Sequence, residues 1–153
     1  MNVKVTKLKK MIIAGFSAET TPENNDKDLG RLYDDFLHNR KKELLNSISK
    51  NEMEYYGVIW YTKLHEKYKY LLGQKVNGEL DRNDIEIKII PVGEYCYKKY
   101  PPKYDVIKAF TDLFYKDIPE IGYKPIEKND VAFEYYPNGF DGEYEIWALV
   151  EKI

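Results

Sequence analysis

Ile89-Ile90-Pro91-Val92-Gly93 echoes Met11-Ile12-Ile13-Ala14-Gly15, and the echo continues outward from it at an offset of 76 to 78 residues. Leu29, Leu32, Tyr33, Asp35, Phe36 and Leu37 are matched by Val106, Ala109, Phe110, Asp112, Leu113 and Phe114. Tyr56-Gly57-Val58 falls opposite Phe133-Glu134-Tyr135, and Tyr68 opposite Tyr144. Identities are few, but the order of elements repeats as well. Each half opens on a strand, first Val3 to Glu19 with a break near Lys9-Lys10, then Ile85 to Tyr100. A helix follows in each. Leu29, Leu32, Tyr33 and Phe36 form an apolar stripe at helical spacing, with Asn25 or Asp26 as its N-cap, and Ile107, Phe110, Leu113 and Phe114 form the second. Pro101-Pro102 ends the preceding strand, and Pro119 and Gly122 lie beyond the second helix.

Two strands close each half: Tyr55 to Thr62 with Tyr68 to Val76, then Asp130 to Tyr136 with Tyr144 to Glu151. The expected fold class is therefore α+β, a βαββ unit used twice. The pseudo-repeats run over about 1–76 and 85–153 of one domain spanning 1–153, with a polar, turn-forming linker at 77–84. Three strands and one helix bury too little alone. Joining the two sheets edge to edge, with both helices on one face of the antiparallel sheet, buries a common core and leaves a groove between the helices. The repeat makes Gly57 the counterpart of Glu134, so one half carries a carboxylate where the other leaves space.

The chain has 153 residues, 24 basic and 26 acidic, for a net charge of −2, which does not suit a nucleic-acid binder. Its basic runs, Lys7 to Lys10 and Arg40 to Lys42, are short and read as solvated surface. The single cysteine, Cys96, excludes an internal disulfide and suits a reducing cytoplasm, and its setting in a strand points to an inert buried thiol. No apolar run reaches transmembrane length and no signal-peptide core opens the chain, so a cytoplasmic protein without membrane attachment is expected. The unusual count is 15 tyrosines. Most suit half-buried strands, and a flat ring with a polar tip also suits a pocket wall.

Ala132-Phe133-Glu134-Tyr135-Tyr136-Pro137 places a carboxylate among aromatics in a strand neither of whose faces is plainly wet. A carboxylate met in a strand, taken by itself, reads as a surface or edge residue; the repeat and the resemblance described next make Glu134 a pocket acid.

The run Asp84 to Tyr95, the Phe133-Glu134 strand, the closing Tyr144-Glu145-Ile146-Trp147, the Leu32-Tyr33-x-x-Phe36 helix and Tyr56-Gly57-Val58 together resemble the GyrI-like domain. That domain is also the effector-binding domain of AraC-type and MerR-type multidrug regulators. The resemblance spans nearly the whole chain in the right order. It implies a pocket for lipophilic, often cationic, aromatic compounds with an acid at its base. The acid corresponds to Glu134, and the pocket aromatics to Tyr56, Tyr95, Tyr100 and Tyr144, with Leu29 and Tyr33 from the first helix. Trp60, in register with Tyr56, joins these candidates, with core packing as its alternative. The family's first helix often has Trp where this chain has Tyr33, and no helix-turn-helix precedes the first strand, so direct DNA binding is not expected. Tyr95 and Tyr100 occupy opposite strand faces and can line one cavity only across a bulge.

His38 and His65 lack the spacing of a metal site, and neither haem ligation, a phosphate-cradling glycine loop nor a nucleophile–histidine motif is evident. No cofactor is expected. The expected function is binding of hydrophobic, aromatic, cationic compounds, either to sequester them or to signal their presence to a regulator. As an enzyme, the chain would resemble stand-alone family members that open strained cyclopropane rings, with Glu134 as general base. A protein partner, such as gyrase, is the third expectation.

Overall fold

The structure is a computed structural model that describes residues 2–63, 66–78, 82–126 and 131–153. The first half supplies β1 (Lys4–Leu8), β2 (Met11–Thr20), α1 (Asn25–His38), a short α2 (Lys41–Asn46), β3 (Tyr55–Lys63) and β4 (Lys67–Val76). The second supplies β5 (Glu86–Ile90), β6 (Gly93–Tyr100), α3 (Val106–Asp112), the short β7 (Tyr123–Pro125), β8 (Ala132–Tyr136) and β9 (Tyr144–Lys152). His65, the residues 79–81 of the linker and the predicted strand start at Asp130 lie outside the described residues.

The expected tandem βαββ architecture is present. The antiparallel strands run in the order β1-β6-β9-β8-β3-β4-β2-β5, with β7 added against β9. That order is symmetric about the β3–β8 seam: each strand of one half has its counterpart at the same distance on the other side. The seam pairs Gly57 with Glu134 directly.

The outer strands are exchanged between halves. β1 pairs with β6 and β2 with β5, and the register is continuous across both ladders, from Leu8↔Gly93 to Met11↔Ile90. Only Lys9-Lys10 on one side and Pro91-Val92 on the other interrupt this ribbon. Its two parts sit at opposite ends of the strand order, so the sheet curls until those ends come close together. Pro91 has no N–H for the ladder, which explains why the expected strand from Ile85 to Tyr100 is divided.

Curling gives the sheet two distinct buried sides. Alternation sends Ala14, Tyr70, Leu72, Cys96, Ile146 and Ala148 to the side that carries the helices, where Leu32 and Phe36 of α1 and Ala109 of α3 meet them. Ile13, Val58, Leu71, Ile90, Tyr95 and Phe133 fill the inside of the curl without any helix. Strands buried on both faces explain why neither side of β8 looked wet.

Two helical details depart from expectation. Asn24, not Asn25 or Asp26, is the N-cap position of α1, and its side chain makes no cap bond. The second stripe is partly wrong: Ile107 is 62% exposed, while Ala109 and Leu113 are buried. Past Asp112 the helix widens into a π turn, Leu113–Asp117, before a last turn at Ile118–Glu120. Pro119 lacks the N–H that Tyr115 would accept in an α-helix, and a wider turn absorbs the ring.

Candidate functional site

The seam puts Glu134 on the helix side of the sheet, beneath an open cavity of about 750 Å³ between α1 and α3. Leu29 and Tyr33, one turn apart, form the α1 wall, and Val106 and Phe110 the α3 wall, with Phe114 beyond. Ile59, Ala132, Glu134, Tyr136 and Ala148 form the floor.

Glu134 is 4% exposed. The Tyr70 hydroxyl donates to its Oε1 at 2.6 Å and the Tyr136 hydroxyl to the same oxygen at 2.8 Å. Tyr33 and Tyr70 share a further hydroxyl–hydroxyl bond of 2.6 Å. Four polar groups from α1, β4 and β8 are thereby linked, and Oε2 accepts from no described residue. Burial without a countercharge pushes the carboxyl group up to about 7, and the two tyrosine bonds hold it from rising further. The cost of stripping water from this group is several kcal/mol, which only a neutralising partner or a proton removes.

Gly57 is what makes room. A Cβ there would stand 2.0 Å from the Tyr70 hydroxyl oxygen and 2.9 Å from Glu134 Oε1. The counterpart residue of the other half has to be side-chain-free for the acid and its tyrosine donor to fit.

Charge on the cavity wall has one sign. Asp26, Asp105 and Glu134 line it, and among the described residues no Lys, Arg or His does. Apart from Asn25, the wall is otherwise aromatic and aliphatic. Among the described residues no three His, Cys, Asp or Glu side chains group as a metal site would.

Of the sequence-predicted residues, the structure brings Glu134, Tyr33 and Leu29 together around the cavity. Tyr100 and Tyr144 are on the same side but do not line it. They stack at 5.6 Å, and their hydroxyls donate to the Ala109 and Tyr104 carbonyls, tying β6 and β9 to the α3 region. Tyr56, Tyr95 and Trp60 are a correction. They lie inside the curl, on the far side of the sheet from Glu134, because β6 and the part of β3 up to Tyr61 run in unbroken register, with no bulge to turn them over. Tyr56 and Tyr95 each pack at 6.0 Å on Phe133, and Trp60 lies under the Lys88 ammonium.

Tyr70, Tyr136, Phe110 and Phe114 were missed as site residues. Tyr136 carried a signal, since it stands two residues from Glu134 in one strand. Tyr70 carried one only through the β3–β4 register, where it faces Ile59, two positions from Gly57. Phe140 had none. From the loop after β8 it stacks on Tyr55 at 4.3 Å and meets the Tyr33 and Tyr136 rings edge-on at 5.3 Å, bracing both.

Residues 4–149 match the Cass2 family of integron-associated effector binding proteins. The chain belongs to that family. No curated protein matches it in sequence. In fold it is similar to SAV2435 bound to tetraphenylphosphonium (TM-score 0.77, 12% identity, covering 99% of this chain and 94% of that one). It is also similar to the integron cassette protein VCH_CASS2 from the mobile metagenome of Vibrio cholerae (TM-score 0.69, 15% identity, 98% and 96% covered). The EcmrR C-terminal domain is a third (TM-score 0.68, 13% identity, 99% and 98% covered). The fold is that of the GyrI-like effector-binding domain found in MerR-type regulators, and the family to which this Cass2 protein belongs is one of effector binding proteins.

Proposed function

We propose that this Cass2 protein binds hydrophobic aromatic cations in the cavity between α1 and α3, in the cytoplasm, as an effector sensor or a sequestering protein. One observation carries the reading: a carboxyl group at the cavity floor, nearly shut off from water, with no basic partner among the described residues and one oxygen that accepts from none of them. A delocalised cation supplies the missing countercharge without demanding the dehydration energy of a compact ammonium. Tyr33 and Phe110 offer ring faces, each worth about 0.5 to 2 kcal/mol to such a charge. Ring faces and dispersion depend little on ligand outline, so broad selectivity follows. The bound tetraphenylphosphonium of a fold neighbour supports the ligand class. Leu29 and Tyr33 contact the ligand in this reading, whereas Tyr100 and Tyr144 act by holding α3 in place.

Calorimetric titration of tetraphenylphosphonium into the wild type and Glu134→Gln tests the reading. Loss of a buried charge pair is expected to weaken binding by about 10-fold or more. Equal affinity for both proteins overturns it.

A second reading rests on the same acid. A carboxyl group held near neutrality, with one oxygen that accepts from no described residue and two neighbouring hydroxyls, can deprotonate a water against a strained electrophile. Incubation with a cyclopropane-type alkylating compound should then yield the water adduct; turnover that persists in Glu134→Gln removes the mechanism.

A further inference from the structure

We propose that, among hydrophobic cations, the cavity selects those that carry an N–H, with the Tyr33 hydroxyl oxygen as its acceptor. This rests on the reading of Glu134 as the ligand's counterion, and narrows the ligand to donor-bearing delocalised cations such as protonated aminoacridines and aromatic amidines.

Each hydrogen in the floor cluster can be placed. A tyrosine hydroxyl has one hydrogen to give and lone pairs to receive, and an ionised carboxylate only receives. Tyr70 spends its hydrogen on Glu134 Oε1, and Tyr136 spends its own on the same oxygen. The 2.6 Å bond between Tyr33 and Tyr70 then has one possible direction: Tyr33 donates and Tyr70 accepts. Tyr136, the other hydroxyl that acts on Tyr33, is committed to the acid in the same way. All three hydrogens therefore run inward toward Glu134, and the Tyr33 oxygen keeps only its capacity to accept.

Tyr33 is the member of this chain that a ligand meets. Tyr70, Glu134 and Tyr136 are 1%, 4% and 6% exposed, whereas Tyr33 is only partly buried on the α1 wall. Donation toward an anion through Tyr70 makes the Tyr33 oxygen a stronger acceptor than that of an isolated phenol, because bonds in a chain polarise one another. The buried charge is thus offered at the wall as a hydrogen-bond acceptor. Burial first, and then the Glu134 charge, raise the Tyr33 hydroxyl, so it stays protonated and the chain keeps its direction. Farther along the same wall the donors are also taken: the Tyr68 hydroxyl bonds Asn25 Oδ1, and Asn25 Nδ2 reaches Asp26. A cation with an N–H supplies the hydrogen this wall lacks, whereas a quaternary ammonium or arylphosphonium brings charge alone.

The test is fluorescence titration of the full chain with protonated acridine orange, whose one N–H is on the ring nitrogen, and with its ring-N-methyl derivative. The two dyes have equal charge and nearly equal outline. At about pH 8, with Glu134 ionised, the N–H dye is expected to bind about 10-fold more tightly. Tyr33→Phe keeps the ring and removes the acceptor, and should bring the dyes within about 2-fold of each other. Tyr33→Trp sets a donor in place of the acceptor and should erase or reverse the preference, which decides the matter should Tyr33→Phe fail to fold. Equal affinities in the wild type overturn the assignment. So does a preference that survives either substitution, since a steric preference does not need the hydroxyl. Failure of Glu134→Gln to weaken either dye would instead remove the counterion reading, whatever the ratio between them.

Discussion

Glu134 holds its proton up to about pH 7 in the fold, against 4.5 for an unperturbed glutamate. Because the folded value is the higher, the folded state binds more protons between these limits, and the stability tied to this group is full below 4.5 and lost as pH rises to about 7. Relative to Glu134→Gln, the wild type should lose on the order of 3 kcal/mol across that window, read as the difference between urea unfolding curves at acid and alkaline pH. Tetraphenylphosphonium affinity should do the reverse, climbing to a plateau above pH 7, with Glu134→Gln flat. Since the Tyr70 bond holds the carboxyl down, Tyr70→Phe should move the midpoint of that climb to higher pH. Gly57→Ala should destabilise by about 1–3 kcal/mol and weaken binding, because its methyl displaces Tyr70. Glu134 and Gly57 were readable as a pair because the repeat aligned them. The Tyr70 hydroxyl was not, because which ring reaches an acid across two ladders depends on register, which no local pattern of this sequence states.

At the scale of elements, the succession of strands and helices along the chain was legible because turn residues and apolar periodicity agreed with the repeat, whereas the exchange of outer strands between halves was not. Side-chain faces were less so. β3 and β6 are buried on both sides, so an aromatic residue there fits either one; family resemblance set Tyr56 and Tyr95 beside Glu134 and register added Trp60, whereas all three pack inside the curl, which for Trp60 is the core-packing reading. The opposite-face placement has a measurable consequence: Tyr56→Leu should cost about 1–3 kcal/mol in unfolding while leaving cation affinity unchanged. The loop after β8 behaves differently. Phe140→Ala removes the brace behind Tyr33 and Tyr136, and should lower stability by about 2–3 kcal/mol and affinity together.

The whole molecule is held by exchange. Among the described residues β1 has its only ladder with β6, and β5 its only ladder with β2, so each half completes the other. Fragments covering 1–78 and 82–153 should be unfolded apart by circular dichroism and regain strand signal when mixed or co-expressed. If either fragment folds alone, the exchanged ribbon is ornamental. No helix among the described residues is long and apolar enough to cross a membrane.

The Gly57·Glu134 pair sits where two like halves meet, and that position has an implication for how such a receptor can arise. Identical subunits related by an axis must present whatever stands on it in duplicate, so an acid there would confront its own copy and a glycine would confront emptiness. Tethering the units in one polypeptide lifts that obligation: one copy keeps the charge, the other surrenders its side chain, and a lone anion becomes possible at a place symmetry would forbid.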